Sequence, residues 1–305
     1  MSAPAWTAVL VNPAAGGGRG ATLAQPVADR LAAAGSAVDL LVPASLARAR
    51  ELAADRVADD VDALVVVGGD GMVHLGVNAV GESGTGLAIV PCGTGNDYAR
   101  AIGLPAKDPM GALDSLCAGV SRQTDVVGVS GTDGDRLVAS VVAVGFDSRV
   151  AARANAMGGR LHGHVRYLAA VVGEMRSLTM TSLSLETERP DGSIAKATGD
   201  RLLVAVGVTP YYGGGLRMLP GADPMDGLLD VVEIDPVKRR TVLRLFPHLY
   251  RGTHTRFAVV SAGRTRSITL TQTAGEPVEA VGDGEPLGGL PLTLTCRPGL
   301  LRLFA

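Results

Sequence analysis

Five short stretches hold the residues suited to chemistry. The apolar run Val65-Val66-Val67 ends in Gly68-Gly69-Asp70-Gly71, followed by Met72, Val73 and His74. Glycines at the mouth of a buried strand have no Cβ to block a phosphate, and an aspartate there would hold Mg2+ directly or through water. The plainer alternative is a strand-to-helix turn with Asp70 as N-cap. Asn12-Pro13-Ala14-Ala15-Gly16-Gly17-Gly18-Arg19-Gly20 follows another apolar run. Its backbone amides and the helix after it suit an anion, although turn geometry alone would also select these glycines. Gly16, Gly18 and Ala21 loosely fit a dinucleotide fingerprint, but the acidic residue it needs would be Asp39, inside a strand rather than at its end.

A third stretch, Pro91-Cys92-Gly93-Thr94-Gly95-Asn96-Asp97-Tyr98-Ala99-Arg100, offers a hydroxyl and an amide toward the same sheet edge. Asp97 and Arg100 are spaced to pair at a helix start. Cys92 reads as a small packed residue rather than a nucleophile. Asp226-Gly227 reads first as a turn before a strand, and Gly282-Asp283-Gly284-Glu285 as a hairpin turn. There is no Gly-x-x-x-x-Gly-Lys-[Ser/Thr] phosphate loop. His162 and His164 lack an acidic or thiol neighbour, so metal ligation there is the weaker reading.

These stretches need strand ends and helix starts to position them. Residues 8–11, 37–42, 63–67 and 86–90 read as strands, alternating with helices at 21–34, 45–58, 72–80 and from 96. Gly35 suits a helix C-cap and Ser45 an N-cap. Such alternation predicts a parallel sheet with helices on both faces. Beyond about residue 125 the texture changes. A strand at 137–144 and a helical stretch at 149–178 precede short strands at 182–188, 202–208, 228–234, 257–261, 267–273, 277–281 and 290–296, which predict an antiparallel β-rich domain. The expected division is an α/β domain over 1–128 and a β-sandwich over 129–296, with 297–305 returning to the first.

The composition suits a folded chain of two domains. Of 305 residues, 47% are hydrophobic and 19% charged, enough apolar material for a sizeable core. The net charge of −2 does not point to nucleic acid. Cys92, Cys117 and Cys296 are too few and too scattered for a disulfide framework or zinc site. The first residues carry no secretory pattern and no apolar run is long enough to span a bilayer, so the expected location is the cytoplasm.

Taken in order, the five stretches form one pattern. Asn-Pro-x-x-Gly at 12–16, Gly-Gly-Asp-Gly at 68–71, Pro-x-Gly-Thr-x-Asn-Asp-x-Ala-Arg at 91–100, Ala-x-x-x-Asp-Gly-x-Leu-Asp-Val at 222–231 and Asp-Gly-Glu at 283–285 resemble the diacylglycerol kinase-like lipid kinases, a superfamily that includes sphingosine and ceramide kinases. The runs at 145–157 and 211–223 look most like the soluble actinobacterial diacylglycerol kinases. NAD kinases share the second element but not the third followed by the fifth.

The resemblance implies a phosphofructokinase/NAD-kinase-like α/β domain followed by a lipid-binding β-sandwich. It implies transfer of the γ-phosphate of ATP to the hydroxyl of diacylglycerol to give phosphatidate. By similarity, Asn12, Pro13, Ala14, Ala15 and Gly16 wrap the ATP phosphates together with Gly68, Gly69, Asp70, Gly71, Met72, Val73 and His74, and Thr94 also contacts nucleotide. Pro43 stands where the family usually has a threonine contact. The general base falls jointly to Asp283 and Glu285. Asp70, Asp97 and Asp125 match acidic positions near a catalytic Mg2+. A second, structural Mg2+ would use the Asp226 carboxylate and the backbone carbonyls of Asp223 and Leu228.

One departure matters. The family usually reads Gly-Gly-Asp-Gly-Thr-x-Asn-Glu, but Met72, His74 and Leu75 replace the hydroxyl, the amide and the carboxylate. That keeps open a non-catalytic lipid- or nucleotide-binding protein on the same fold, beside a kinase for sphingoid or other lipid alcohols. A nicotinamide-dependent oxidoreductase rests only on Gly16, Gly18 and Ala21. The implied partners are a lipid substrate and a transient membrane surface, with room for a homodimer. Two basic stretches suit an anionic surface. One has Arg149, Arg153, Arg160, Arg166 and Arg176 against Glu174. The other sets Lys238, Arg239, Arg240, Arg244 and Arg251 among Leu243, Leu245, Phe246, Leu249 and Tyr250. A solvated helix face over a core stripe is the alternative.

Overall fold

The computed structural model describes residues 2–157 and 163–305, with side chains for all of these except 155 and 163–168. The chain divides into two compact units, Met1–Asp125 with Gly299–Ala305, and Val126–Pro298.

The first unit alternates strands and helices: β1 (Trp6–Val11), α1 (Ala15–Ala33), β2 (Ala37–Leu41), α2 (Leu46–Ala58), β3 (Ala63–Gly68), α3 (Asp70–Val80), β4 (Gly86–Pro91), α4 (Asp97–Ala101) and α5 (Asp114–Cys117). Every residue of β3 and β4 is buried, as expected of strands covered on both faces. The parallel order is β2-β1-β3-β4. Val9, Val11, Val65, Val67, Ala88 and Val90 share one core cluster with Leu31 of α1. Leu303 and Phe304, at the end of the chain, pair in parallel with Leu87 and Ala88. Caps set the helix limits. The Ser45 hydroxyl accepts the Arg48 amide at 3.2 Å and Gly35 takes φ 98° just past α1, both as the sequence suggested. Asp39 forms an ion pair with Arg56 at 2.8 Å.

The second unit begins with β5 (Arg122–Gly131, entering from the first), β6 (Arg136–Val138) and β7 (Val141–Gly145). Helices α6 (Phe146–Ala156) and α7 (Gly163–Glu174) follow, then β8 (Thr181–Glu188), β9 (Ile194–Arg201), β10 (Leu203–Gly207), β11 (Leu229–Ile234) and α8 (Arg239–Arg251). The remainder is β12 (Val260–Thr265), β13 (Ser267–Ala274), β14 (Glu279–Gly282), β15 (Glu285–Gly289) and β16 (Leu292–Phe304). An antiparallel sheet runs β12-β11-β10-β7-β14-β15, and β16 pairs with β13, which continues to β8 and β9.

Alternation along the strands builds two cores. Val142, Val144, Val204 and Val206 cluster with Leu183, Leu185, Ile268, Leu270, Leu292 and Leu294 of the other sheet. Their neighbours Val141, Ala143, Leu203 and Ala205 cluster instead with Val150, Val171, Val242 and Leu245 of the helices. The period of two along a strand forces this division.

Several elements differ from the sequence expectation. The strand β9 was not anticipated; only Ile194, Ala195, Gly199 and Arg201 set any alternation against Lys196 and Asp200, and most of it is exposed. It holds by pairing with β8 at a sheet edge. The segment at 257–261 gives way to β12 because a short helical turn occupies His254–Arg256. The strand at 290–296 continues to Phe304. Within 149–178 there are two helices and a short turn at Met175–Ser177. Arg160 and His162 lie outside the described residues, as do the side chains of His164 and Arg166.

Candidate active site

Three loops meet at the carboxyl ends of β1, β3 and β4. In the first, the Asn12 side chain accepts the Ala14 amide at 3.1 Å, while the Asn12 amide donates to Val67 of β3 at 3.0 Å. Gly16, Gly17 and Gly18 then take φ of 58°, 71° and 101°, a region open to glycine but costly for other residues. A Cβ on Gly16 would lie 2.1 Å from the Cys92 carbonyl oxygen. The loops after β3 and β4 also touch, since a Cβ on Gly93 would lie 2.4 Å from the Gly69 Cα. Cys92 is 1% exposed, and burial pushes its thiol up, against the pull of Arg19. That disfavours a thiolate and supports a packing role.

The loop after β4 is closed by its own asparagine. Asn96 adopts left-handed geometry; its side-chain oxygen accepts the Gly93 amide at 2.9 Å and its amide donates to the Gly93 carbonyl at 3.0 Å. The amide expected at the sheet edge is thus turned onto the loop itself. Thr94, beside it, is exposed.

Two carboxylates converge here. Asp70, the first residue of α3, accepts the Tyr98 amide on Oδ1 at 3.2 Å. Asp97 Oδ1 receives Arg100 Nη1 at 2.7 Å, the pairing expected from their spacing. A methyl group on Gly95 would lie 2.7 Å from Asp70 Oδ2 and 3.8 Å from Asp97 Oδ2. The second oxygen of each carboxylate therefore lies beside Gly95. Two hard oxygen donors suit a divalent cation that completes its shell with phosphate and water, as Mg2+ does. Sequence reasoning missed Gly95; the signal available was a second glycine, between Thr94 and Asn96. Asp125 is placed differently: it is 3% exposed and its Oδ1 accepts the Gly299 amide at 2.8 Å.

The three substituted positions are buried. Met72, His74 and Leu75 are 5%, 9% and 4% exposed. The Met72 side chain sits over Gly68, 2.4 Å from where a Cβ there would stand. Asn78 Nδ2 donates to the His74 carbonyl at 2.9 Å and lies 3.5 Å from its Nε2. Val73 is 3% exposed as well. The Met72 and Val73 amides donate to the Gly69 carbonyl at 2.9 and 3.2 Å, so what this segment offers an anion is the positive end of the α3 dipole.

In the second unit the Asp-Gly-Glu segment forms the β14–β15 hairpin. Asp283 stands at φ 51°, and its carboxylate accepts the amides of Ala139 at 2.7 Å and Ser140 at 2.9 Å. Glu285 is half-buried, and its side chain has no hydrogen bond or ion pair among the described residues. The Ala139 and Ser140 amides had no sequence signal, since they lie over 140 residues away.

Asp226 also ends in a turn before a strand, as expected. Its Oδ1 accepts the Leu228 amide at 3.0 Å, its Oδ2 pairs with Arg264 at 3.2 Å, and its amide reaches the Asp223 carbonyl at 3.4 Å. Asp230, part of the 222–231 pattern but given no role there, sits beside them. Burial raises its carboxyl to about 6; Arg264 opposes this, and Asp226 and Asp223 add to it. Three carboxylates here face one guanidinium, with both Asp226 oxygens already engaged by the Leu228 amide and Arg264. Among the described residues no three His, Cys, Asp or Glu side chains form a metal-binding group.

The second unit also holds an apolar cavity lined by Phe146, Val171, Tyr212, Val242, Leu245 and Phe246. Among the described residues no helix is long and apolar enough to cross a membrane.

Comparison with known proteins gives this architecture a class. Residues 7–129 match the diacylglycerol kinase catalytic domain, and residues 140–305 match the YegS C-terminal NAD kinase beta sandwich-like domain. The chain is 34% identical over 296 residues to a protein named diacylglycerol kinase from Mycobacterium tuberculosis (strain ATCC 25618 / H37Rv), covering 97% of this chain and 93% of that one. It is 32% identical over 257 residues to a protein named "Probable lipid kinase YegS-like" from Pseudomonas aeruginosa (strain UCBPP-PA14), covering 84% and 80%. The crystal structure of a diacylglycerol kinase from Bacillus anthracis str. Sterne shares the fold at a TM-score of 0.73 and 19% identity, over 100% of this chain and 98% of that one. Sequence and fold together define an enzyme of the lipid kinase class. The chain belongs to the diacylglycerol kinase-like lipid kinase family.

Proposed function

We propose that the chain transfers the γ-phosphoryl group of ATP to the hydroxyl of diacylglycerol, giving phosphatidate and ADP. The observation that carries the mechanism is the contrast within the β14–β15 hairpin. Both oxygens of Asp283 are held by amides of Ala139 and Ser140, whereas Glu285 has no described partner. A general base needs an unengaged carboxylate within reach of the hydroxyl it deprotonates. In this reading Glu285 takes the proton as the hydroxyl oxygen attacks the γ-phosphorus and the bond to ADP breaks. Asp283 is a positioning residue that fixes the turn presenting Glu285.

Phosphoryl transfer depends mainly on positioning and charge stabilisation. The backbone of 12–16 and 68–74 would bind the ATP phosphates, and the exposed Thr94 hydroxyl would add a contact. Asp70 and Asp97 would hold a Mg2+ ion that neutralises phosphate charge. The Asp226 carboxylate, with the carbonyls of Asp223 and Leu228, would hold a second. Asp125, engaged with Gly299, supports the chain's return to β4. The apolar cavity beside Phe146 and Leu245 would lodge an acyl chain. The choice of diacylglycerol is supported by the 34% identity to the Mycobacterium tuberculosis protein of that name.

The test is purified protein with Mg2+, labelled ATP and mixed micelles holding diacylglycerol, sphingosine or another lipid alcohol in turn. Diacylglycerol should be the preferred acceptor, and Glu285→Gln should lower kcat about 10²–10⁴-fold. Preference for another lipid would reassign the substrate. Transfer to no lipid, with Glu285→Gln matching the wild type, would refute the mechanism.

A further inference from the structure

Helix α8 is the most strongly two-faced element of the second unit. Its inner side, Val242, Leu245, Phe246 and Leu249, lines the apolar cavity. The rest is not the plain solvated face that such a helix usually shows. Leu243 is 62% exposed and Tyr250 47%, and Pro247 is exposed between them. At about 100° per residue these three fall in one strip along the helix. The same geometry sets Arg239 on one side of the strip and Arg240, Arg244 and Arg251 on the other.

The charge is all of one sign. No acidic residue occurs from Lys238 to Arg251. Arg240, Arg244 and Arg251 are exposed and form no ion pair with a described residue. Arg239 donates to the Arg176 carbonyl at the end of the α6–α7 segment, which brings another exposed cation to this end of the helix. A polyanion in water would satisfy the arginines but leave Leu243, Pro247 and Tyr250 without an apolar phase. An anionic bilayer satisfies both, since apolar side chains enter the interface while guanidinium groups meet headgroup phosphates.

We propose that the outward face of α8 is the surface by which this protein docks on anionic membranes. The occupant is a bilayer containing anionic phospholipid. The proposal rests on the lipid-kinase reading only in supposing that the acceptor lies in a bilayer. It adds that one helix carries both the docking face and a wall of the apolar cavity.

The experiment is flotation of the full chain, without nucleotide, with vesicles of phosphatidylcholine alone or mixed with phosphatidylglycerol. Binding should require phosphatidylglycerol and weaken as salt rises from about 0.1 to 0.5 M. Arg240→Gln, Arg244→Gln and Arg251→Gln should each lower partition about five-fold. Leu243→Asp should lower it as well, without changing the melting temperature, and tests the same face if a combined arginine variant does not fold. Turnover in nonionic micelles should stay within about two-fold of wild type for these variants. Equal binding to neutral vesicles, wild-type binding by the arginine variants, or equal loss of micellar turnover would overturn the proposal. So would RNA binding as tight as vesicle binding and indifferent to Leu243→Asp. Micellar turnover without vesicle binding would fail the docking proposal alone; vesicle binding without turnover would fail the kinase mechanism alone.

Discussion

The tripeptide Gly-Asp-Gly occurs at 69–71 and again at 282–284, and the two copies serve opposite ends. At Asp70 the chain passes from a buried strand into α3; one carboxylate oxygen accepts the Tyr98 amide and the other faces the space beside Gly95 and Asp97. At Asp283 the chain reverses in a hairpin with φ 51°; both oxygens are used on the amides of Ala139 and Ser140. A carboxylate set beside a second carboxylate at a helix start suits a cation. One whose two oxygens each accept a backbone amide fixes the turn that carries it. In the proposed mechanism the same three residues thus serve as a cation ligand in one unit and a clamp in the other, and the second turn leaves the chemistry to its neighbour Glu285.

Substituting the two aspartates in parallel tests the contrast most strongly. Asp70→Asn keeps an acceptor for the Tyr98 amide but loses charge, so kcat should fall about 10²–10³-fold with an unchanged urea midpoint. A raised Mg2+ requirement should accompany the loss. Asp283→Ala leaves two amides without their acceptor and should cost about 3 kcal/mol of stability in urea unfolding. If Asp283→Ala proved as stable as wild type but inactive, the clamp assignment would be wrong and Asp283 would rejoin Glu285 as a candidate base.

Weaker substitutions sharpen the comparison. Gly95→Ala inserts a methyl 2.7 Å from Asp70 Oδ2, so it should lower activity about ten-fold, partly recovered at high Mg2+, with little change in stability. The flanking glycines should differ in sign. Gly284 has φ 86°, so Gly284→Ala should destabilise by about 1 kcal/mol. Gly71 sits inside α3, where a Cβ would meet nothing within 4 Å, so Gly71→Ala should stabilise by about 0.5–1 kcal/mol in the same unfolding assay.

Much of this was legible in the residues. The all-apolar runs of β3 and β4 announced strands buried on both faces, and Ser45, Gly35 and the Asp97–Arg100 spacing fixed local details that the structure repeats. These signals are local: a cap or an i, i+3 pair is complete within a few residues. The edge strand β9 was hidden because its stability comes from pairing with β8 rather than from its own pattern. The burial of Asp230 was hidden because a buried carboxylate looks like any other aspartate in sequence.

The departure at Met72, His74 and Leu75 shows the division most clearly. Sequence alone showed that a hydroxyl, an amide and a carboxylate were absent and left a non-catalytic protein open. The structure buries all three side chains against Gly68, Asn78 and the α3 core, so their identity is first a matter of packing. The sequence by itself determined the order of motifs, the strand-helix alternation and the family, because each depends on residue types at short, fixed spacing. Only the tertiary structure decided which backbone amides each carboxylate meets, because the amides that engage Asp70, Asp125 and Asp283 come from 28, 174 and 143 or 144 residues away. Such partners are chosen by folding, not by neighbours in the chain.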